Sequence, residues 1–197
     1  MRCPRLAALT FAGLLLAAAP APAQQAPPVP PIAGPDVPVP LKPGDAFGEA
    51  VTLPERTIAY VQGEARWDAA FETLVKAYKT LAEYLDKSGI KPAGPAMTIY
   101  TETNDTGFHF RAARPIAEPP KEPPTGGVAV GPAPSGKALK FMHRGSYDAM
   151  DSTYEAITNY LDDRQIEAKD VFIEEYETDI MTTPQETLVV TVYVPVK

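Results

Sequence analysis

Glu174 stands between two aromatic residues in the run Val171-Phe172-Ile173-Glu174-Glu175-Tyr176-Glu177-Thr178-Asp179. Val, Phe, Ile and Tyr favour a pleated, half-buried surface, so the run reads as a strand. Side chains alternate along a strand. Phe172, Glu174 and Tyr176 therefore share one face, and Val171, Ile173 and Glu175 share the other. Alternation alone allows either face to be the inner one, and a sheet edge with a wet acidic face is the plainer alternative. A carboxylate on the inner face needs a partner or holds a raised pKa. Two chemistries fit such a group. A carboxylate caged by rings suits a lipophilic cation, through charge pairing and cation–π contacts. A carboxylate can also act as general base on a water. Glu174 and Glu175 are no catalytic pair by adjacency, because neighbours on a strand face opposite ways. A second carboxylate has to come from elsewhere, with Glu102 the candidate.

Other chemistries find little support. The chain has no Gly-x-Ser-x-Gly elbow, no phosphate-binding loop and no Gly-rich dinucleotide fingerprint. Gly126-Gly127 lies in a Pro-rich stretch and reads as a turn. His109 and His143 are the two histidines, and their spacing is not that of metal ligands. No metal and no cofactor are expected; haem would have to use one of these two.

The N-terminus has the layout of an export signal. Met1-Arg2-Cys3-Pro4-Arg5 is basic, Leu6 to Ala19 is apolar, and Ala21-Pro22-Ala23 offers small residues for cleavage after Ala23. The apolar run is short for a membrane span. Cleavage would remove Cys3, the one cysteine, and leave neither a disulfide nor a thiolate site. Arg2 and Arg5 leave with it, taking the net charge from −7 to −9. A chain this acidic without a basic cluster is not a nucleic-acid binder. Residues 24–45 hold Pro27-Pro28-Val29-Pro30-Pro31 and similar runs, expected to form an extended, semi-rigid spacer. Residues 46–197 are the size of one domain.

Within that domain the hydrophobic pattern predicts the same order twice. Arg56 to Val61 reads as a strand. Trp67, Phe71, Leu74, Tyr78, Leu81 and Leu85 make a helical stripe, closed by Ser88-Gly89. Met97–Glu102 and Phe108–Ala112 form a hairpin about Asn104-Asp105-Thr106-Gly107. Ile116 to Gly127 is read as a crossover loop. Lys137–His143 is a strand, Ser146 or Asp148 caps a helix with the stripe Met150, Tyr154, Ile157 and Leu161, and two strands follow, the last from Thr187 to Pro195. The helix ends match, Tyr84-Leu85-Asp86-Lys87-Ser88-Gly89-Ile90 against Tyr160-Leu161-Asp162-Asp163-Arg164-Gln165-Ile166. The expected fold class is α+β. Two duplicated strand–helix–strand–strand units (about 46–115 and 128–197) form a curved antiparallel sheet, with two helices on one side and a central groove.

Three segments give this pattern a relative. Arg144-Gly145-Ser146-Tyr147, the Phe172–Asp179 run and the closing Val192-Tyr193-Val194-Pro195-Val196 resemble the GyrI-like, or AraC-type effector-binding, small-molecule domain over about Leu53 to Lys197. That family reads Gly-Ser-Tyr into a helix, then Glu-x-Tyr-x-x-Asp, then a strand ending in Ile-Pro-Val. The resemblance implies that Glu174 faces an aromatic pocket for cationic, planar ligands, with Tyr176 as the motif tyrosine and Tyr147 from Gly-Ser-Tyr. It also implies that ring-opening hydrolysis, known in some members, is an alternative. Two departures stand out. A signal and spacer are expected in the place where many members carry a helix-turn-helix, so transcription control is not expected. Ile180 follows Asp179 where proline is common.

The site expected on these grounds is Glu174 with rings drawn from Tyr176, Tyr147, Tyr100, Phe108, Phe110, Trp67 and Tyr193. Core packing is the competing assignment for each ring, and for Trp67 and Phe71 on the helix stripe above all. The expected function is that of a periplasmic or secreted small-molecule-binding protein rather than an enzyme. The alternatives are a hydrolase using Glu174 as base and an envelope protein-interaction module. The partners expected are a small organic ligand, no nucleic acid, no membrane span after cleavage, and no protein partner that the sequence names.

Overall fold

The computed structural model describes Lys42 and residues 44–197. The expected leader (1–23) and nearly all of the spacer (24–45) lie outside the described residues. Among the described residues no helix is long and apolar enough to cross a membrane.

Eight strands form one antiparallel sheet: β1 (Phe47–Leu53), β2 (Thr57–Arg66), β3 (Met97–Thr103), β4 (Gly107–Pro115), β5 (Val128–Pro132), β6 (Gly136–Gly145), β7 (Phe172–Tyr176) and β8 (Leu188–Pro195). Among the described residues two α-helices accompany them, α1 (Ala70–Lys87) and α2 (Met150–Asp163). The order across the sheet is β1-β6-β8-β7-β3-β4-β2-β5. The strand–helix–strand–strand order therefore occurs twice, as β2-α1-β3-β4 and β6-α2-β7-β8, and the two sets meet where β3 pairs with β7.

Two strands depart from the expected order. β1 is separate from β2, and β5 follows what the sequence presents as a crossover loop. Each is an edge strand exchanged with the other set: β1 lies against β6, and β5 against β2. The exchange forces the sheet to curl. β1 and β2 stand six strand spacings apart, about 29 Å in a flat sheet. The link through Pro54, Glu55 and Arg56 spans at most about 14 Å. The β5–β6 link faces the same demand, and the Ala133 amide donates to the Arg56 carbonyl at 2.9 Å, tying the two links together. Leu53, Ile58, Met97, Ile99, Ala133 and Ile173 fill the inside of this curl as a core on the face away from the helices.

The larger core lies between the sheet and the helices. Leu74 and Tyr78 from α1, with Met150, Ile157 and Leu161 from α2, pack on Phe108, Phe110, Phe141, Val190, Val192 and Val194. The helices end alike. Gly89 and Gln165 take positive φ, and the amides of Ile90 and Ile166 donate back to Leu85 and Leu161 at 2.9 and 3.0 Å.

Candidate functional site

β7 places its residues as the alternation requires. Glu174 pairs across with Thr98 on β3 and Phe172 with Tyr100, all facing the helices, while Glu175 faces the inner curl. Glu174 is 1% exposed and, among the described residues, reaches no basic side chain. Its oxygens are instead solvated by tyrosines. Tyr154 on α2 donates to Oε1 at 2.9 Å, and Tyr176 donates to Oε2 at 2.8 Å. Because the Tyr176 hydrogen is committed, its oxygen accepts from Thr98 Oγ1 at 3.0 Å, which in turn accepts from the Tyr78 hydroxyl at 3.0 Å. The hydroxyls thus run in one direction from α1 to the carboxylate. Burial pushes the Glu174 pKa up, and the hydroxyls of Tyr176, Tyr100 and Tyr154 pull it partly back. Burial, and then the charge of Glu174, push Tyr100, Tyr154 and Tyr176 well above the ordinary tyrosine value.

Above Glu174 opens a cleft of about 720 Å³ between the N-terminal ends of the two helices. Each helix is entered through a 3-10 turn, Trp67–Ala69 before α1 and Tyr147–Ala149 before α2. Gly145 has φ +126, which lets β6 break sharply into this turn, and the Ser146 hydroxyl accepts from the Asp148 amide. Arg144 grips Asp45 with two bonds of 2.8 and 2.7 Å and seats the strand end from which Tyr147 projects. Tyr147 meets the Tyr100 hydroxyl at 3.0 Å and packs on Phe71.

The expected rings separate into three groups. Tyr100, Tyr147 and Trp67 line the cleft with Glu174. Trp67 is 46% exposed at the mouth, because α1 begins only at Ala70 and leaves it off the buried stripe. Its indole donates to the Asn104 carbonyl at 2.8 Å and packs on Phe108. Tyr176, Phe108 and Phe110 stand behind this lining. Tyr176 acts through its bond to Glu174, Phe108 backs Tyr100 and Trp67, and Phe110 lies buried over Gly63, where a Cβ would come within 2.8 Å of its ring. Tyr193 is a correction to the expected set. Alternation along β8 turns it to the opposite face, against the inner core.

Residues beyond the expected set complete the cleft. Tyr154, Phe71 and Phe172 add ring surface, and Asp68, Glu72, Asp148 and Asp151 stand around the mouth. The sequence marks Tyr154 by its place on the apolar stripe of α2, where a tyrosine hydroxyl must find a partner. Glu102, the candidate second carboxylate, does not line this cleft and lies 3.7 Å from exposed His109. His143 is buried with both ring nitrogens engaged. Nε2 donates to the Ser146 carbonyl, Nδ1 accepts from Thr153, and burial lowers its pKa.

A sequence profile of the GyrI-like small molecule binding domain matches residues 49–197. The chain belongs to the GyrI-like family. Among solved structures, the EcmrR C-terminal domain superposes with a TM-score of 0.66 at 15% identity, covering 77% of this chain and 98% of that one. The chain spans 57% of EcmrR as it occurs in the EcmrR–DNA complex. SAV2435 bound to tetraphenylphosphonium matches with a TM-score of 0.54 at 15% identity over 77% of this chain and 94% of that one. A hydrolase from Listeria innocua gives 0.54 at 13% identity over 78% and 93%. At these identities the likeness is one of fold. No curated protein matches the sequence.

Proposed function

We propose that this GyrI-like domain holds a lipophilic organic cation in the cleft above Glu174. One observation carries the reading: Glu174 is buried, and among the described residues neither its bonding partners nor the cleft lining include a Lys, Arg or His. The two helix N-termini contribute about half a positive charge each. Against that stand five carboxylates, Asp68, Glu72, Asp148, Asp151 and Glu174, of which only Asp68 is paired, with exposed Arg66 at 3.2 Å among the described residues, so the cleft is negative overall. Both Glu174 oxygens already accept hydroxyls, which favours quaternary or delocalised cations that ask for charge and ring faces over amines that demand hydrogen bonds. SAV2435, with the same fold, is the relative seen with such a cation.

A second reading, hydrolysis of reactive electrophiles, draws on the same raised Glu174 pKa beside the Tyr147 hydroxyl, a base and one donor on the same wall. Residues 1–23 as leader and 24–45 as spacer put this activity in the periplasm or outside the cell. A purified exported protein whose N-terminus is Gln24 tests that placement.

Thermal unfolding tests the binding. Tetraphenylphosphonium at about a hundred times its Kd raises Tm by about 5–10 °C, and uncharged triphenylphosphine oxide does not. Equal shifts with both compounds, or none with any cation, contradict the reading. Mass spectrometry of an electrophile incubated with the protein separates turnover from holding.

A further inference from the structure

Beside the main cleft the sheet has a notch. β3 runs to Thr103, yet β7 pairs with it only from Met97 to Tyr100. The chain ahead of Phe172 turns away to join β8. Ala168 bridges Val196, and the Lys169 amide donates to the Pro195 carbonyl at 2.8 Å. On that side the backbone of Thr101–Thr103 has no strand partner among the described residues. A cavity of about 310 Å³ occupies the gap, with Glu102, Lys169 and Asp170 in its wall. It shares Tyr100, Thr103 and Phe172 with the main cleft. Tyr100 and Phe172 are cross-strand partners, so one pair of rings divides the Glu174 chamber from the notch.

We propose that the two cavities form one two-chamber site, whose ligand is an aromatic or quaternary cation carrying a second, amine-bearing arm. The inference rests on the cation reading of the main cleft and adds the shape and charge of the ligand. The head lies over Glu174 among the rings. The arm passes the Tyr100–Phe172 pair and enters the notch. An unpaired strand edge offers backbone hydrogen-bonding groups to whatever lies beside it. Glu102 and Asp170 outnumber Lys169, so the notch favours a protonated amine over an acid. These side chains are exposed, so an amine there keeps part of its hydration, which the Glu174 chamber would strip away.

Titration calorimetry on the full chain with a matched pair of probes tests the proposal: hexyl-triphenylphosphonium and aminohexyl-triphenylphosphonium. The amine compound is expected to bind about tenfold tighter, the gain of one charge-assisted hydrogen bond. That gain disappears in the double variant Glu102→Gln, Asp170→Asn and in Ala168→Phe, which fills the notch. The affinity for the hexyl compound stays unchanged in the charge variant, whose notch keeps its shape. Equal affinity for the two probes in the unaltered protein overturns the proposal. So does a gain that survives the notch variants and vanishes in Asp148→Asn, Asp151→Asn, since the arm would then lie at the mouth. If neither probe binds, the cation reading itself fails and the two-chamber site with it.

Discussion

Tyr176 donates its hydroxyl hydrogen to Glu174 Oε2 at 2.8 Å, across two positions of one strand. The strand thus carries both the acid and a group that solvates it, and Tyr154 serves the other oxygen from α2. Hydroxyls solvate a carboxylate without cancelling its charge, whereas an arginine partner would have used that charge up. The contrast lies one residue along, where Glu175 is paired with Arg56 at 3.1 Å on the opposite face.

Cation binding is expected to weaken in acid. The Glu174 pKa in the folded protein lies above the ordinary value of 4.5, and the ligand favours the ionised form. As pH falls through that raised value, the Kd for tetraphenylphosphonium rises, with a limiting slope of about tenfold per pH unit. Titrations from neutral to acid pH read the slope directly. In Glu174→Gln the residual affinity varies much less over the same range, since only the carboxylates at the mouth remain.

Stability is expected to move the other way. The unfolded chain releases the Glu174 proton near 4.5, while the folded protein keeps it to higher pH. Between those values the folded state binds more protons, so Glu174's contribution is complete below 4.5 and is lost as pH rises through the folded pKa. Denaturant unfolding of the protein and of Glu174→Gln gives the difference. The variant gains relative to the parent as pH rises through this window. A difference that is flat with pH contradicts the burial of an ionisable group.

Removing the solvating hydroxyls is expected to raise the Glu174 pKa further. Tyr154→Phe and Tyr176→Phe each leave a buried carboxylate oxygen short of a donor, at about 1–3 kcal/mol of stability. The midpoint for loss of cation binding moves to higher pH in both. Thr98→Val acts at one remove: it deprives the Tyr176 oxygen of its donor and the Tyr78 hydroxyl of its acceptor. Its midpoint shifts in the same direction but by less. Circular dichroism for stability and titration at several pH values separate the two effects.

The inner-face pair is expected to matter for folding and not for ligand. Arg56 and Glu175 side chains are 28% and 11% exposed, and the pair joins the β1–β2 link to β7. Arg56→Leu leaves Glu175 without its cation and costs about 2–3 kcal/mol, less than the roughly 3–5 kcal/mol of a fully buried pair because Arg56 is partly wet. Its affinity for tetraphenylphosphonium matches the parent. Chemical denaturation and calorimetry on the same preparation check both halves.

Most of this architecture is legible in the chain because its signals are local. The helical stripes, the Asn104–Gly107 hairpin and the alternation of β7 are each readable within a dozen residues. Asn104 does close its turn, with Oδ1 accepting the amides of Thr106 and Gly107. β1 and β5 are not legible, since each contains a glycine and is defined by a partner in the other half of the domain. The exchange of edges, and hence the curl, follows only once those partners are known. Trp67 has helical spacing, but the turn before Ala70 rotates it to the cleft mouth. Tyr193 enters the expected set by residue type, and the burial of Val190, Val192 and Val194 on the helix side shows that alternation along β8 excludes it. The acidic mouth is spread over two helix starts that no single window joins.

The central claim is that Glu174, and not its neighbour, supplies the charge that holds a cation. The most direct measurement is calorimetric titration of tetraphenylphosphonium into the parent, Glu174→Gln and Glu175→Gln at neutral pH. The account predicts at least about tenfold weaker binding in Glu174→Gln, from loss of a desolvated charge, and parent-like binding in Glu175→Gln. Parent-like binding in Glu174→Gln, or an equal loss in both variants, contradicts it.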